Sequence, residues 1–179
     1  MQFDRERLVN TLLYLANKKP RIGFHKMFKI LYFADQKHLA KYGRTIIGDR
    51  YIAMQNGPVP SRTYDILKAV KQPWLEVTEE NYFLSKIIVE KHHISARIDA
   101  DLDYLAESEV ECLNKSFDEN HALSYNNLTN KSHGYAWTRA DMNNRISLVD
   151  IAKEAEADTE IIEHIIEMEE AEKVFSWYH

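Results

Sequence analysis

The chain has 179 residues, 45% of them hydrophobic, with five Gly, four Pro and a single cysteine, Cys112. This length suits one domain with a helical extension, and so few Gly and Pro argue against long disordered linkers. No apolar run approaches the roughly 18 residues of a membrane span. This composition predicts a compact globular protein. A lone cysteine excludes an intrachain disulfide, so we expect the protein in the reducing cytoplasm.

Charge is distributed unevenly along the chain. Residues 1–75 carry fourteen Lys and Arg against five Asp and Glu, which gives +9, whereas residues 76–179 carry nine against twenty-three, which gives −14; together they make the net −5. Such a surface could steer a charged partner, although exposed charges more than ~10 Å apart are largely screened at 0.1 M salt. Ordinarily solvated helix faces explain the pattern equally well.

Helical periodicity dominates the first forty residues. Residues 4–17 place their apolar side chains on one face, and Pro20 ends that helix because the residue before a proline disfavours helical geometry. Over Phe24–Tyr42 the apolar positions again recur every three or four residues. Gly43 tolerates a positive φ and is expected to stop this second helix.

A rigid elbow is predicted next. Residues 46–54 alternate like a short strand, and residues 56–58 (Asn-Gly-Pro) predict a tight turn. Pro60 then begins a helix that Gln72 and Pro73 close. The buried face of that helix is predicted to be Tyr64, Leu67 and Val70.

Several short motifs follow one another in a fixed order in and beyond this unit. They are KILYFAD at residues 29–35, which ends in Asp35, then His38, Tyr42-Gly43, Gly48-Asp49, Tyr51, Ala53, Gly57-Pro58-Val59, and later His133 with Trp137. The ordered set resembles the Panacea domain, the family of SocA-like antitoxins. The resemblance covers residues 8–140.

The middle of the chain predicts strands. Residues 82–97 are rich in aromatic and β-branched side chains, which favours one or two strands of a small antiparallel sheet; these could pair with Tyr51–Met54. His92 and His93 are adjacent, so on a strand they would point to opposite faces. We therefore expect no shared metal site there.

A second helical region follows. Asp99, Asp101 and Asp103 resemble the start of a calcium loop, but the positions at which an EF-hand needs Gly and Glu carry neither. We expect these acids to cap a helix over residues 105–117, inside which Cys112 is a structural thiol.

The last third of the chain is again helical. Residues 124–131 predict a short helix, and Trp137 is expected to be a buried anchor with its indole N–H bonded. From Ser147 onward the pattern is helical, and residues 150–173 carry ten acids against two lysines. The apolar residues of this tail are Ile161, Ile162, Ile165, Ile166 and Met168.

The tail's apolar face is wider than one small helix needs unless it packs on the domain or on a second copy of the chain. We therefore divide the chain into a domain, residues 1–146, and a helical extension packed on it, residues 147–179. The elements together predict an α+β protein that is mainly α-helical, with a small antiparallel sheet or hairpin and an acidic helical C-terminus.

An enzyme is one alternative function. Asp35 and His38 stand at i, i+3 spacing and could touch, but no nucleophile or metal site is identifiable beside them. We expect Asp35 instead to be a buried acceptor that fixes the elbow around Tyr42, Arg44 or Asp49. A scaffold predicts Asp35 and His38 buried and bonded, whereas an enzyme predicts both open to a pocket.

A DNA-binding regulator is a second alternative. Residues 148–162 have the cadence of a helix-turn-helix, but an acidic recognition helix would be repelled by phosphates. We do not expect nucleic acid as a partner.

The resemblance implies a different role. It implies that Panacea-like proteins are antitoxins, which neutralise a toxin encoded beside them by direct contact. It also implies that some members are adaptors that deliver the toxin to a protease. We expect no catalysis and no cofactor. The acidic tail with its Ile face is the first candidate docking surface and the motif residues are the second. The candidate partner-binding or fold-determining residues are Asp35, His38, Asp49, Tyr51, Gly57, Pro58, Val59, His133, Trp137, Ile161, Ile162 and Ile165.

Overall fold

The computed structural model describes residues 3–70 and 78–176, and its fold is α+β with helices predominating. Within those ranges, no helix combines the length and the apolar character that a bilayer crossing requires. The helices are α1 (Arg5–Lys18), α2 (Phe24–Tyr42), α3 (Ser61–Val70), α4 (Thr78–Lys86), α5 (Glu107–Asn120), α6 (Tyr125–Ser132), α7 (Tyr135–Arg139), α8 (Leu148–Glu154) and α9 (Thr159–Ser176). The strands are β1 (Ile22–Gly23), β2 (Tyr51–Met54), β3 (Gly57–Pro60), β4 (Ile87–Glu90) and β5 (His93–Ala96).

The predicted ends of the first two helices are confirmed. Asp4 caps α1 by accepting the backbone N–H of Arg7 at 3.0 Å. Gly43 adopts a left-handed φ of +67° and donates its N–H to the carbonyl of Leu39 at 2.9 Å, which ends α2. The end of α3 predicted at residues 72–73 lies outside the described residues.

The strands form two separate antiparallel sheets. β1, β5 and β4 lie side by side in that order, with Ile22 opposite Ile94. β2 and β3 form a hairpin in which Tyr51 lies opposite Pro60. The short motifs that carry the family resemblance are arranged around this hairpin.

Three predictions about strands are wrong. Residues 82–86 belong to α4, because a short apolar run does not distinguish a buried strand from a buried helix segment. β5 pairs with β4 on one side and with β1 on the other, and neither β4 nor β5 pairs with β2. Gly57 and Pro58, predicted as turn residues, lie in β3 instead, whereas the helix predicted to start at Pro60-Ser61 does begin at Ser61.

β2 is unavailable to β4 and β5 because both of its edges are already bonded. One edge carries β3, and on the other the N–H of Ala53 donates to Asn144 O at 2.9 Å. On the same side, the N–H of Ile146 donates to Tyr51 O at 2.8 Å. The chain after α7 therefore completes the hairpin.

α2 lies at the centre of the molecule and is buried on nearly every side, so that Lys29, Asp35 and His38 are buried along with its apolar residues. One side joins α1 and α5 in a first core that includes Leu12, Met27 and Leu113. The other side joins the hairpin and α8 in a second core that includes Tyr32 and Ile151.

The two C-terminal helices pack on the second core. Ile151 and Ala152 of α8 and Ile165 of α9 are buried there beside Tyr51. Part of the apolar face of α9 is thus covered by the chain itself. The division of the chain at residue 146 stays a prediction.

The predicted role of the acidic residues before α5 is wrong. Asp101 accepts the N–H of Asp103 at 3.0 Å and begins a single turn of 3-10 helix, Leu102–Tyr104. α5 is capped by its own Glu109, whose carboxylate accepts the N–H of Ala106 at 3.0 Å. The acidic residues before that turn lie too far upstream to reach the N-terminus of α5.

Candidate functional site

Asp35 is a buried acceptor, 1% exposed, and Ile46 and Tyr51 donate hydrogen bonds to it. The N–H of Ile46 donates to Oδ1 at 2.6 Å, and the hydroxyl of Tyr51 donates to Oδ2 at 2.7 Å. Burial raises the pKa of Asp35 to about 7, and both hydrogen bonds oppose that rise. The prediction of a buried acceptor is confirmed, but both partners differ from the three that the sequence suggested.

His38 is also buried, with each ring nitrogen bonded. Nδ1 lies 2.8 Å from Arg44 O, and because a carbonyl only accepts, Nδ1 carries the proton. Nε2 lies 3.2 Å from the hydroxyl of Ser108, from which it accepts. Burial lowers the pKa of His38. Asp35 and His38 therefore both hold the loop between α2 and β2, and neither stands open in the way a catalytic pair requires.

Asp49 caps α3 from twelve residues upstream of that helix. Its Oδ1 accepts the N–H groups of Arg50 at 2.7 Å and Arg62 at 3.1 Å. Its Oδ2 accepts the N–H and the hydroxyl of Thr63 at 2.8 and 2.7 Å. Four donors converge on one carboxylate, so Asp49 fixes the loop before β2 to the start of α3.

The hairpin turn is packed tightly against α2 and α6. Gly57 has a φ of +91°, and a Cβ there would overlap Ser132 Oγ and come within 2.9 Å of Lys29 Nζ. The Lys29 amine donates to Pro58 O at 2.7 Å and its side chain is buried. Burial lowers the pKa of Lys29 to about 7. Only glycine satisfies both the dihedral angle and the space at this position.

Trp137 and His133 contact the tip of the hairpin. Their rings stack with centroids 3.8 Å apart and planes inclined by 11°. The indole N–H donates to Met54 O at 3.0 Å, as the sequence predicted, although the ring is half-buried rather than buried.

The motif residues therefore meet around the hairpin, whereas the predicted tail residues lie elsewhere. Ile165 is buried in the second core, and Ile161 and Ile162 pack half-buried against it. The exposed part of this apolar face is formed by Ile166 and Met168, which are 40% and 41% exposed.

An open cleft of about 340 Å³ lies beside the hairpin, and we call it the hairpin cleft. Val59 is the predicted site residue that lines it, and Met54 and Tyr125 stand at it with exposed side chains. Its ring-bearing residues are Phe24, His25, Phe28, Tyr64, His92 and Tyr125. Lys29 also lines the cleft; it begins the KILYFAD motif but was not among the predicted site residues.

The lining of the hairpin cleft is electrically one-sided. Among the described residues that form it, none is Asp or Glu. His25 stacks on Tyr125 at 3.9 Å and shares a hydrogen bond with Thr129 Oγ1 at 2.9 Å. Burial, followed by the positive charges of Lys29 and Lys26, lowers the pKa of His25 to about 4.

Residues 27–138 match a family model described as "Antitoxin SocA-like, Panacea domain". The match covers more than half of the chain, contains the hairpin and the motif residues, and ends before α8 and α9. Searches of curated proteins and of solved structures return no match.

Proposed function

We propose that this chain, which belongs to the Panacea-domain family of SocA-like antitoxins, neutralises a toxin protein by binding it directly and stoichiometrically. Family membership gives the antitoxin-type role. The direct contact and the absence of chemistry are the proposed part. We place this encounter in the cytoplasm.

The observation that carries the proposal is how the family motif is used. Asp35 and Gly57 hold the hairpin itself, whereas His38 and Asp49 hold the loop that leads into it. A surface that is rigid before binding loses less conformational entropy when a partner docks. The motif thus supports a preformed recognition surface better than a reacting centre.

The hairpin cleft is the surface that we favour for docking. Met54 and Tyr125 are 38% and 51% exposed beside it, and large apolar and aromatic side chains dominate the binding energy of protein interfaces. The cleft also lies mostly within residues 27–138, whereas Ile166 and Met168 lie outside that match.

The acidic tail is the competing surface. Its exposed apolar side chains are Ile166 and Met168, and Met168 lines a groove of about 310 Å³ between α9 and the end of α2. Deleting residues 147–179 would not test this surface cleanly, because the deletion also uncovers the second core. Substitution of the two exposed side chains leaves that core intact.

The proposal is tested with the protein encoded by the adjacent open reading frame. Co-expression should rescue growth, and the two purified proteins should form a stable complex when no protease is present. A chain that acted only as a protease adaptor would bind the toxin but leave it active in that mixture. Failure of the purified proteins to associate contradicts the proposal.

A further inference from the structure

Lys29 is a buried amine with hydrogen-bonding capacity to spare. It is 1% exposed and lines the hairpin cleft. Among the described residues, Pro58 O is the acceptor within hydrogen-bond distance of its amine, at 2.7 Å. An ammonium carries three N–H donors, so two remain for a ligand. A buried ammonium is costly unless an acceptor or a carboxylate accompanies it.

The surroundings of Lys29 favour an anion. The described lining of the cleft contains no carboxylate, and the imidazoles of His25 and His92 and the amides of Gln55 and Asn56 offer further N–H donors. Lys26 adds a second positive charge close enough to act on His25. Lys29 and Lys26 thus suit the cleft to a negatively charged group, although the chain as a whole carries −5.

The remainder of the cleft favours an apolar group. Phe24 and Phe28 pack with their centroids 5.6 Å apart, and Tyr64 meets Phe28 edge-on at 6.0 Å. Met54 and Tyr125 extend this apolar surface to solvent. An occupant that supplies only a charge would leave these rings exposed, and one that supplies only apolar area would leave the amine unpaired.

We infer that the hairpin cleft binds a segment of the toxin in which a carboxylate side chain, Asp or Glu, neighbours an aromatic or large aliphatic residue. The carboxylate bonds the amine of Lys29 and the apolar side chain packs among the cleft rings. This inference rests on the proposed function and deepens it by naming the chemistry of the segment that the antitoxin recognises. Lys29 would then be a specificity-determining residue as well as a support for Pro58.

The first test needs no variant of the protein. A displayed library of short random peptides is selected on the full-length chain, and each binder is synthesised with its acidic residue as Glu or as Gln. Selected peptides should share an acidic residue beside an apolar one, and the Gln peptide should bind about tenfold more weakly. A selection without such peptides, or equal affinity of the Glu and Gln peptides, overturns the inference.

The second test uses Lys29→Met, with Lys153→Met as the control that removes an exposed lysine on α8. Lys29→Met should weaken the Glu peptide about tenfold and leave the Gln peptide unchanged, whereas Lys153→Met should change neither. An unchanged Glu-to-Gln ratio in Lys29→Met overturns the inference. If Lys29→Met does not fold, Tyr125→Ala takes its place as the test variant. This substitution, at an exposed position, should weaken the binding of both peptides equally. Unchanged binding of the two peptides overturns the inference.

Competition separates this inference from the proposed function. Excess Glu peptide should displace the toxin from the wild-type chain. If the toxin is bound and neutralised but the peptide does not displace it, the cleft inference fails and the proposed function stands. If the wild-type chain does not bind the toxin, the proposed function itself fails.

Discussion

The hydroxyl of Tyr51 donates a hydrogen bond of 2.7 Å to Asp35 Oδ2, and both side chains are buried. Tyr51 lies in β2 and Asp35 in the middle of α2, so this bond joins the hairpin to the central helix, as does the bond from Lys29 to Pro58 O. The N–H of Ile46 bonds the other carboxylate oxygen and draws the intervening loop onto the same point. The Asp35 carboxylate therefore fixes both the hairpin and the loop before it to α2.

Tyr51→Phe should lower the free energy of unfolding by about 1.5–3 kcal/mol, because it removes a hydrogen bond to a buried carboxylate and leaves that oxygen without its donor. Tyr135→Phe, at a side chain that is 46% exposed, is the control and should change stability by less than about 0.5 kcal/mol. Urea denaturation measures both. Equal effects of the two substitutions would contradict the role assigned to Tyr51.

Gly57→Ala should destabilise the protein by more than about 2 kcal/mol, because φ is +91° and the added Cβ overlaps Ser132 Oγ. Gly23→Ala is a matched control, since its Cβ would meet nothing closer than 3.8 Å and its φ is −71°. We expect that control to cost less than about 1 kcal/mol. Thermal unfolding of both variants measures these losses of stability. A loss in Gly57→Ala as small as that in the control would mean that the turn can rearrange.

Stability should depend on pH through Asp35. Its folded-state pKa is about 7 against an ordinary value of 3.8, so the folded protein holds this proton more tightly than the unfolded chain. Burial is the main cause, and the charges of Asp49 and Glu109 act in the same direction. The stabilising contribution is thus complete below pH 3.8 and is lost as the pH rises to about 7.

Asp35→Asn provides the reference for that measurement because an amide does not titrate in this range. The free energy of unfolding of the wild type minus that of Asp35→Asn should fall by up to about 1.4 kcal/mol per pH unit between the two pKa values. Taking the difference cancels the titration of His25 and His38. A difference that rises with pH would mean that the carboxylate is stabilised in its ionised form.

Substitutions in the two candidate surfaces should have opposite outcomes for toxin binding. Met54→Ser combined with Tyr125→Ala should weaken the complex at least about tenfold, because both remove apolar contact area from the hairpin cleft. Ile166→Ser combined with Met168→Ser should leave the affinity within about threefold. Calorimetry with the purified toxin measures both, and the reverse outcome would move the docking site to the tail.

Local sequence patterns predicted the elements whose causes are local. The apolar repeat of α2 and its stop at Gly43 are contained in one stretch of chain. These predictions are confirmed because no distant residue changes them.

The remaining features depend on contacts between distant residues. Asp49 caps Thr63 across 14 residues, and Lys29 reaches Pro58 across 29. Neither spacing produces a periodic pattern, so the sequence alone gave no signal for the cap or for the buried amine. β3 was missed for a similar reason, since two prolines in four residues usually indicate a turn and become a strand only beside β2.

The most direct measurement titrates the purified toxin with this chain and follows the toxin's own activity in the absence of any protease. The account predicts a linear loss of activity that reaches zero at one equivalent, and the same end point after the chain is replaced by Lys153→Met. Toxin activity that persists at a saturating excess of the chain would contradict neutralisation by direct binding.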